Sequence, residues 1–165
     1  MKLITVLLTA LSLATICHAA DLPLPSGKVI LTVTGKITNT QDGESANFDL
    51  KSLKQLKSAT FNLHTRWSER VHEYHGPLLT SILQKVGAKG DKLRLTALND
   101  YTIEIDRAYV EKYQPILAWR DDGKQMSVRD KGPLWLLLPH DKFPELKSES
   151  NTGNMIWQLR HIEIK

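Results

Sequence analysis

The stretch Pro115-Ile116-Leu117-Ala118-Trp119-Arg120-Asp121-Asp122-Gly123-Lys124-Gln125-Met126-Ser127-Val128-Arg129-Asp130-Lys131-Gly132-Pro133-Leu134-Trp135-Leu136-Leu137-Leu138-Pro139 decides the fold. Asp121-Asp122-Gly123 is a hairpin-turn signal, because glycine supplies the positive φ that such turns need. Residues 116–120 and 124–128 are therefore predicted to approach each other as short strands. Residues 129–133 break the chain again. Beyond them, residues 134–138 form an unbroken apolar run between two prolines, the pattern of a strand covered on both faces. Such a central strand implies a substantial core.

On the N-terminal side, residues 28–37 alternate β-branched and apolar side chains and predict the first strand, with a short second strand over 47–50. Asp49 is placed to cap a small helix that runs through Leu50, Leu53 and Leu56 and turns Lys51, Lys54 and Lys57 to solvent. Residues 59–64 return as a strand and lead into the irregular stretch Thr65-Arg66-Trp67-Ser68-Glu69-Arg70. Gly76-Pro77 reads as the start of the clearest helix, with Gly87 as its stop and Leu78, Leu79, Ile82, Leu83 and Val86 as its buried stripe. Residues 92–98, an Asn99-Asp100 turn and residues 101–105 predict a hairpin, and residues 108–113 a short helix. After a polar loop to Asn154, residues 156–164 close the chain as an alternating strand. The class is α+β, a mixed β-sheet with a few short helices.

The 165 residues, 24% charged and 41% hydrophobic, suit a single folded domain. Residues 1–20 stand apart from it. Lys2, an apolar run over 3–16 and small residues at Ala19 and Ala20 have the layout of a cleavable secretory signal, which leaves 21–165 as the domain and predicts export to the periplasm. No later segment approaches membrane-spanning length, so no membrane insertion is expected. The one cysteine, Cys17, lies inside the signal, which leaves the exported domain without a disulfide, a thiolate ligand or a thiol nucleophile. The formal net charge of +4 is dispersed along the chain, a mild basicity that favours small anions over nucleic acid.

Several stretches in fixed order resemble the oxidoreductase molybdopterin-binding domain, the sulfite oxidase-type fold. They are Gly76-Pro77-Leu78-Leu79 with Gly87, Leu95-Thr96-Ala97-Leu98-Asn99-Asp100-Tyr101, Leu117 to Lys124, Asp130-Lys131-Gly132-Pro133-Leu134 with Pro139, and Trp157-Gln158-Leu159 ahead of Ile162. The nearest likeness is to short exported versions of that domain. In catalytic members a cysteine in the loop after the third strand ligates molybdenum. The corresponding loop here reads Leu63-His64-Thr65-Arg66-Trp67, with Thr65 or a neighbour at the cysteine position, and a neutral hydroxyl is a poor substitute for a soft thiolate. The resemblance therefore implies an inherited fold without molybdenum.

What the resemblance retains is a pocket shaped for a pterin, a reduced pterin or a molybdopterin-like one. A flat, electron-poor bicycle is held by aromatic or guanidinium stacking together with amide, carboxylate and hydroxyl hydrogen bonds. Thr65, Arg66 and Trp67 offer a hydroxyl, a guanidinium and an indole; Asn99, Asp100 and Tyr101 offer an amide, a carboxylate and a phenol. Arg120 and Trp157 are added as rim residues. Five of them have a second reading: Trp67 as a lid, Arg66 as a solvated loop residue, Asp100 as a turn residue, Arg120 as half of a surface pair with Asp121, and Trp157 as core. His72-Glu73-Tyr74-His75, with His64 and Glu69, contains two histidines three apart but fixes no third metal ligand. Short cysteine-less domains of this kind look like periplasmic pterin-binding regulators that report to membrane sensors of cyclic-di-GMP metabolism. The alternative is a molybdopterin-dependent oxidoreductase or an accessory subunit of one.

Overall fold

The structure, a computed structural model, describes residues 22–165, so the predicted signal lies outside the described residues. In chain order the elements are β1 (Val29–Gly35), β2 (Ser45–Asp49), α1 (Leu50–Lys54), β3 (Ser58–Leu63), β4 (His72–Pro77), α2 (Leu79–Lys85), β5 (Lys92–Ala97) and β6 (Thr102–Asp106). There follow α3 (Arg107–Tyr113), β7 (Ile116–Ala118), β8 (Arg120–Asp121), β9 (Lys124–Gln125), β10 (Trp135–Leu137), α4 (Glu149–Gly153) and β11 (Leu159–Ile164). They build a five-stranded sheet in the order β2-β1-β11-β5-β6, a four-stranded sheet β3-β4-β8-β9 and a two-stranded ribbon of β7 and β10. The first sheet is mixed, because β11 returns parallel to β1 while its other pairings are antiparallel.

The ribbon sits between two hydrophobic clusters. Leu117, Leu134 and Leu136 belong to the one that includes Leu31, Ile82 and Ile162; Ile116, Ala118, Trp135, Leu137 and Leu138 belong to the one that includes Phe61, Tyr74 and Met155. Side chains alternate across a strand, so a strand wedged between two cores must be apolar at every position. That requirement is what the unbroken run 134–138 encodes.

The capping role of Asp49 is present as expected. Its carboxylate accepts the Ser52 backbone N–H at 2.7 Å and also the Gly27 N–H at 2.8 Å, which ties the chain ahead of β1 to the start of α1. These bonds, that of Ser52 first, hold its pKa well below the usual carboxylate range.

Three expectations are corrected. The Asp122-Gly123 turn joins only β8 and β9, with Asp122 at φ 45° and Gly123 at φ 78°; Ile116–Ala118 leaves this hairpin and pairs with β10, because its apolar side chains belong inside. Gly76 and Pro77 do not open a helix. They end β4, opposite Ala59 and Ser58, and α2 begins after Leu78. Gly76 has a packing reason: a Cβ there would lie 2.0 Å from the Leu117 carbonyl oxygen, so only glycine lets β4 lie against β7. The polar stretch before Asn154 contains α4.

Two outcomes check this architecture. Leu136→Ala, at a position with no exposed surface, is expected to lower unfolding stability by about 2–5 kcal/mol in urea titrations. Asp49 has a depressed folded-state pKa, so its contribution is present above the ordinary aspartate pKa and is lost as pH falls below it. Asp49→Asn is therefore expected to be less stable at neutral pH and to lose less stability on acidification than the unaltered chain.

Candidate ligand-binding site

The loop from His64 to Val71, between β3 and β4, is held from within. Thr65 is 2% exposed, its hydroxyl donates to Ser68 Oγ at 3.1 Å and accepts the Trp67 N–H at 3.3 Å, and its own N–H donates to Ser68 Oγ at 3.0 Å. This closed turn lifts Trp67 onto the second core. The Trp67 ring meets Trp135 edge to face at 5.8 Å and Trp157 at 5.2 Å, a geometry that suits the ring quadrupoles. Trp135 in turn lies edge-on to Tyr74 at 5.4 Å and donates its indole N–H to the Met155 carbonyl at 3.0 Å. That bond fixes the chain between α4 and β11, from which Trp157 projects.

A cleft of about 340 Å³ opens beside this aromatic cluster. Trp67, Asn99, Tyr101 and Trp157 line it, with Met155 and Ile156 among its apolar walls. Its volume is in the range of small-molecule sites, and a mostly apolar wall with a few polar groups is their usual composition. Asn99 accepts the Tyr101 N–H at 3.3 Å through Oδ1, which leaves its exposed amide NH₂ as a donor to a ligand edge. A larger cleft, about 660 Å³, runs along β1 beside Val128, but no tryptophan, tyrosine or phenylalanine lines it.

Four of the eight sequence-selected residues are thus brought to one cleft. Thr65 lies behind it, buried in the loop turn. Arg66 is exposed, with its guanidinium 5.6 Å from the Trp67 ring centroid, and it lines a neighbouring cleft. Asp100 does not face the ligand: in a left-handed turn at φ 63° it pairs with Arg160 at 2.6 Å. Arg120 is also away from the cleft, held toward Glu73 at 3.7 Å and against Trp119. Thr152, Met155 and Ile156 are walls that sequence reasoning missed: Thr152 comes from α4, inside what reads as a plain polar loop, and Met155 and Ile156 from the turn after it, where Ile156 reads as the start of the closing strand.

On the other side of Trp67 lies a polar cleft of about 600 Å³, walled by Arg70, His72, Asp121 and Arg129 among others. His72 Nδ1 is 2.7 Å from Asp121 and 3.3 Å from Asp122, while Arg70 pairs with Asp122. The trio that converges therefore differs from the His72, His75, His64 and Glu69 set of the sequence. His75 points to the opposite face of β4, where it meets Thr60 at 2.9 Å and Trp119 edge to face. With a guanidinium already on Asp122 and a backbone N–H from Glu73 bound to it at 2.9 Å, this is an ion-pair network that staples β4 to β8. The Glu73 N–H and then Arg70 hold the Asp122 carboxyl below its usual range.

This architecture matches the crystal structure of the sulfane dehydrogenase SoxCD from Paracoccus pantotrophus, with a TM-score of 0.59 and 16% sequence identity. The chain has the sulfite oxidase-type fold. The match covers 81% of this chain and 37% of that one, so the chain spans well under half of the structure it resembles. No family model matches the sequence, and no curated protein does. Within the sulfite oxidase-type fold, molybdenum does not fit the donors present here. Thr65, in the loop where the resemblance expects the metal ligand, offers a neutral hydroxyl that is buried and committed to Ser68 and to the Trp67 N–H.

Tyr74 provides a solution check on the cluster. Burial, and then the Asp121 carboxylate, push its phenol up to about 12. An alkaline titration of tyrosinate absorbance is expected to show an ionisation near that value, and Tyr74→Phe is expected to remove it.

Proposed function

We propose that the chain is an exported pterin-binding regulatory protein that works without molybdenum catalysis and signals to the periplasmic domain of a membrane sensor of cyclic-di-GMP metabolism. The observation that carries the binding half is the convergence of Trp67, Trp157, Asn99 and Tyr101 on one small cleft from three separate parts of the chain. Indole faces and edges suit a flat, electron-poor bicycle, and the Asn99 amide and Tyr101 phenol suit the alternating donors and acceptors of its edge. A reduced or a molybdopterin-like pterin is the ligand class. The signal-like residues 1–20 support export, and the likeness to short cysteine-less domains of this fold supports the regulatory half.

The alternative, a molybdopterin-dependent oxidoreductase or an accessory subunit of one, has the fold likeness in its favour and the buried Thr65 hydroxyl against it. Protein purified from its native compartment and analysed for molybdenum separates the two. A stoichiometric metal content would overturn the regulatory reading.

Pterin binding is expected to appear as a thermal shift and as quenching of tryptophan fluorescence under reducing conditions. Trp67→Ala is expected to abolish both, and Asn99→Ala to weaken affinity by about tenfold, the worth of one hydrogen bond of about 1.4 kcal/mol. Absence of binding by the unaltered protein, or undiminished binding by Trp67→Ala, would sink the proposal. Capture of the sensor domain is expected to depend on pterin and to fail in Trp67→Ala.

A further inference from the structure

Behind the aromatic cleft lies another, of about 440 Å³, and the two share Thr152 and Met155 as a common wall. Arg66 and Trp67 are consecutive, so the same loop gives its guanidinium to one cleft and its indole to the other. The second cleft is walled by Arg66, Lys147, His64 and His140, with Asp141 as its one carboxylate. His140 lies three residues beyond the end of β10 and is only 7% exposed, yet its Nδ1 has no hydrogen-bond partner. A buried imidazole whose Nδ1 is unpaired is a poor choice for packing alone, since buried polar atoms are otherwise almost always satisfied. His64 sits opposite with Nε2 3.0 Å from the Ser68 carbonyl, so that nitrogen carries the donated proton.

We propose that this cleft is an anion-binding subsite, formed by Arg66, Lys147 and His140, for a carboxylate or phosphate group. Two permanent cations against one carboxylate supply the sign of the field, and the recessed imidazole supplies a titratable wall. Guanidinium groups suit both ligand chemistries, because their paired N–H donors match two oxygens of one group. The anion has two sources: a substituent on the ring ligand of the adjoining cleft, in which case the subsite deepens the pterin reading and rests on it, or a separate small anion.

Proton linkage gives the subsite a signature. Burial, followed by the Lys147 ammonium, keeps His140 below the ordinary histidine range, with Asp141 opposing and His64 adding to the depression. A bound anion favours the imidazolium, so binding takes up a proton and affinity rises as pH falls.

The test is calorimetric titration of the whole protein with sodium phosphate at constant ionic strength, in buffers of different ionisation enthalpy. Saturable binding with proton uptake is expected, weakened about tenfold by the exposed Lys147→Glu, and His140→Gln is expected to abolish the proton uptake. Pterin-6-carboxylate then separates the sources: it displaces phosphate if the anion belongs to the ring ligand, and leaves phosphate binding intact if the anion is separate. Both results uphold the subsite. Phosphate heats that do not saturate, or an affinity unchanged in Lys147→Glu, overturn it. Because the phosphate titration contains no pterin, failure of the pterin reading leaves its outcome standing.

Discussion

Burial of the β7–β10 ribbon on both faces is the constraint on which the rest of the molecule depends. Three residue pairs, Trp135 with Ala118, Leu136 with Leu117 and Leu137 with Ile116, join the two strands. None of these side chains reaches solvent appreciably. A ribbon this short has little stability of its own in water. It persists because each face completes a different core, one under the five-stranded sheet and one under the aromatic cluster. Burial of a leucine or tryptophan on such a strand contributes about 1.5–3 kcal/mol, so the ribbon binds the two halves more firmly than its backbone pairing does.

The ribbon also places the site. Trp135 faces the second core, donates to the Met155 carbonyl and offers its ring edge to Trp67. Through these two contacts a single buried side chain positions both sides of the 340 Å³ cleft: the β3–β4 loop that carries Trp67, and the turn after α4 that carries Trp157. Asn99 and Tyr101 arrive independently from the β5–β6 turn, which the five-stranded sheet holds. The cleft is therefore a seam between the two cores, which is a frequent place for ligands in small domains.

The sequence made the buried run 134–138, most strands and the Asp49 cap legible, because each depends on a local pattern: an unbroken apolar run, an alternation, a carboxylate three residues before a free N–H. It misled where long-range packing overrides a local signal. Gly76-Pro77 carries the composition of a helix start, yet the glycine is there for the passage of β7 and the proline ends a strand. For the site, the aromatic and amide residues were recognisable by their isolation in polar loops. Asp100 and Arg120 were not separable from them, because their partners, Arg160 and Glu73, are distant or ambiguous in sequence. The walls from α4 were invisible for the opposite reason: Thr152 and Met155 sit in a stretch with no periodicity to read.

Thr65 connects the chemistry to the architecture. In the loop after β3 this chain has a hydroxyl that satisfies its own turn, with donor and acceptor both used within three residues. A thiolate there would need a cation to neutralise it in a site 2% exposed to solvent. Threonine removes that need and leaves a neutral turn. Once the turn is neutral, the space around it can be filled by indoles without desolvating a charge, and Trp67, Trp135 and Trp157 fill it in edge-to-face contact. The neutral turn and the aromatic wall are thus physically linked, and the wall is suited to holding a planar ring by its surface.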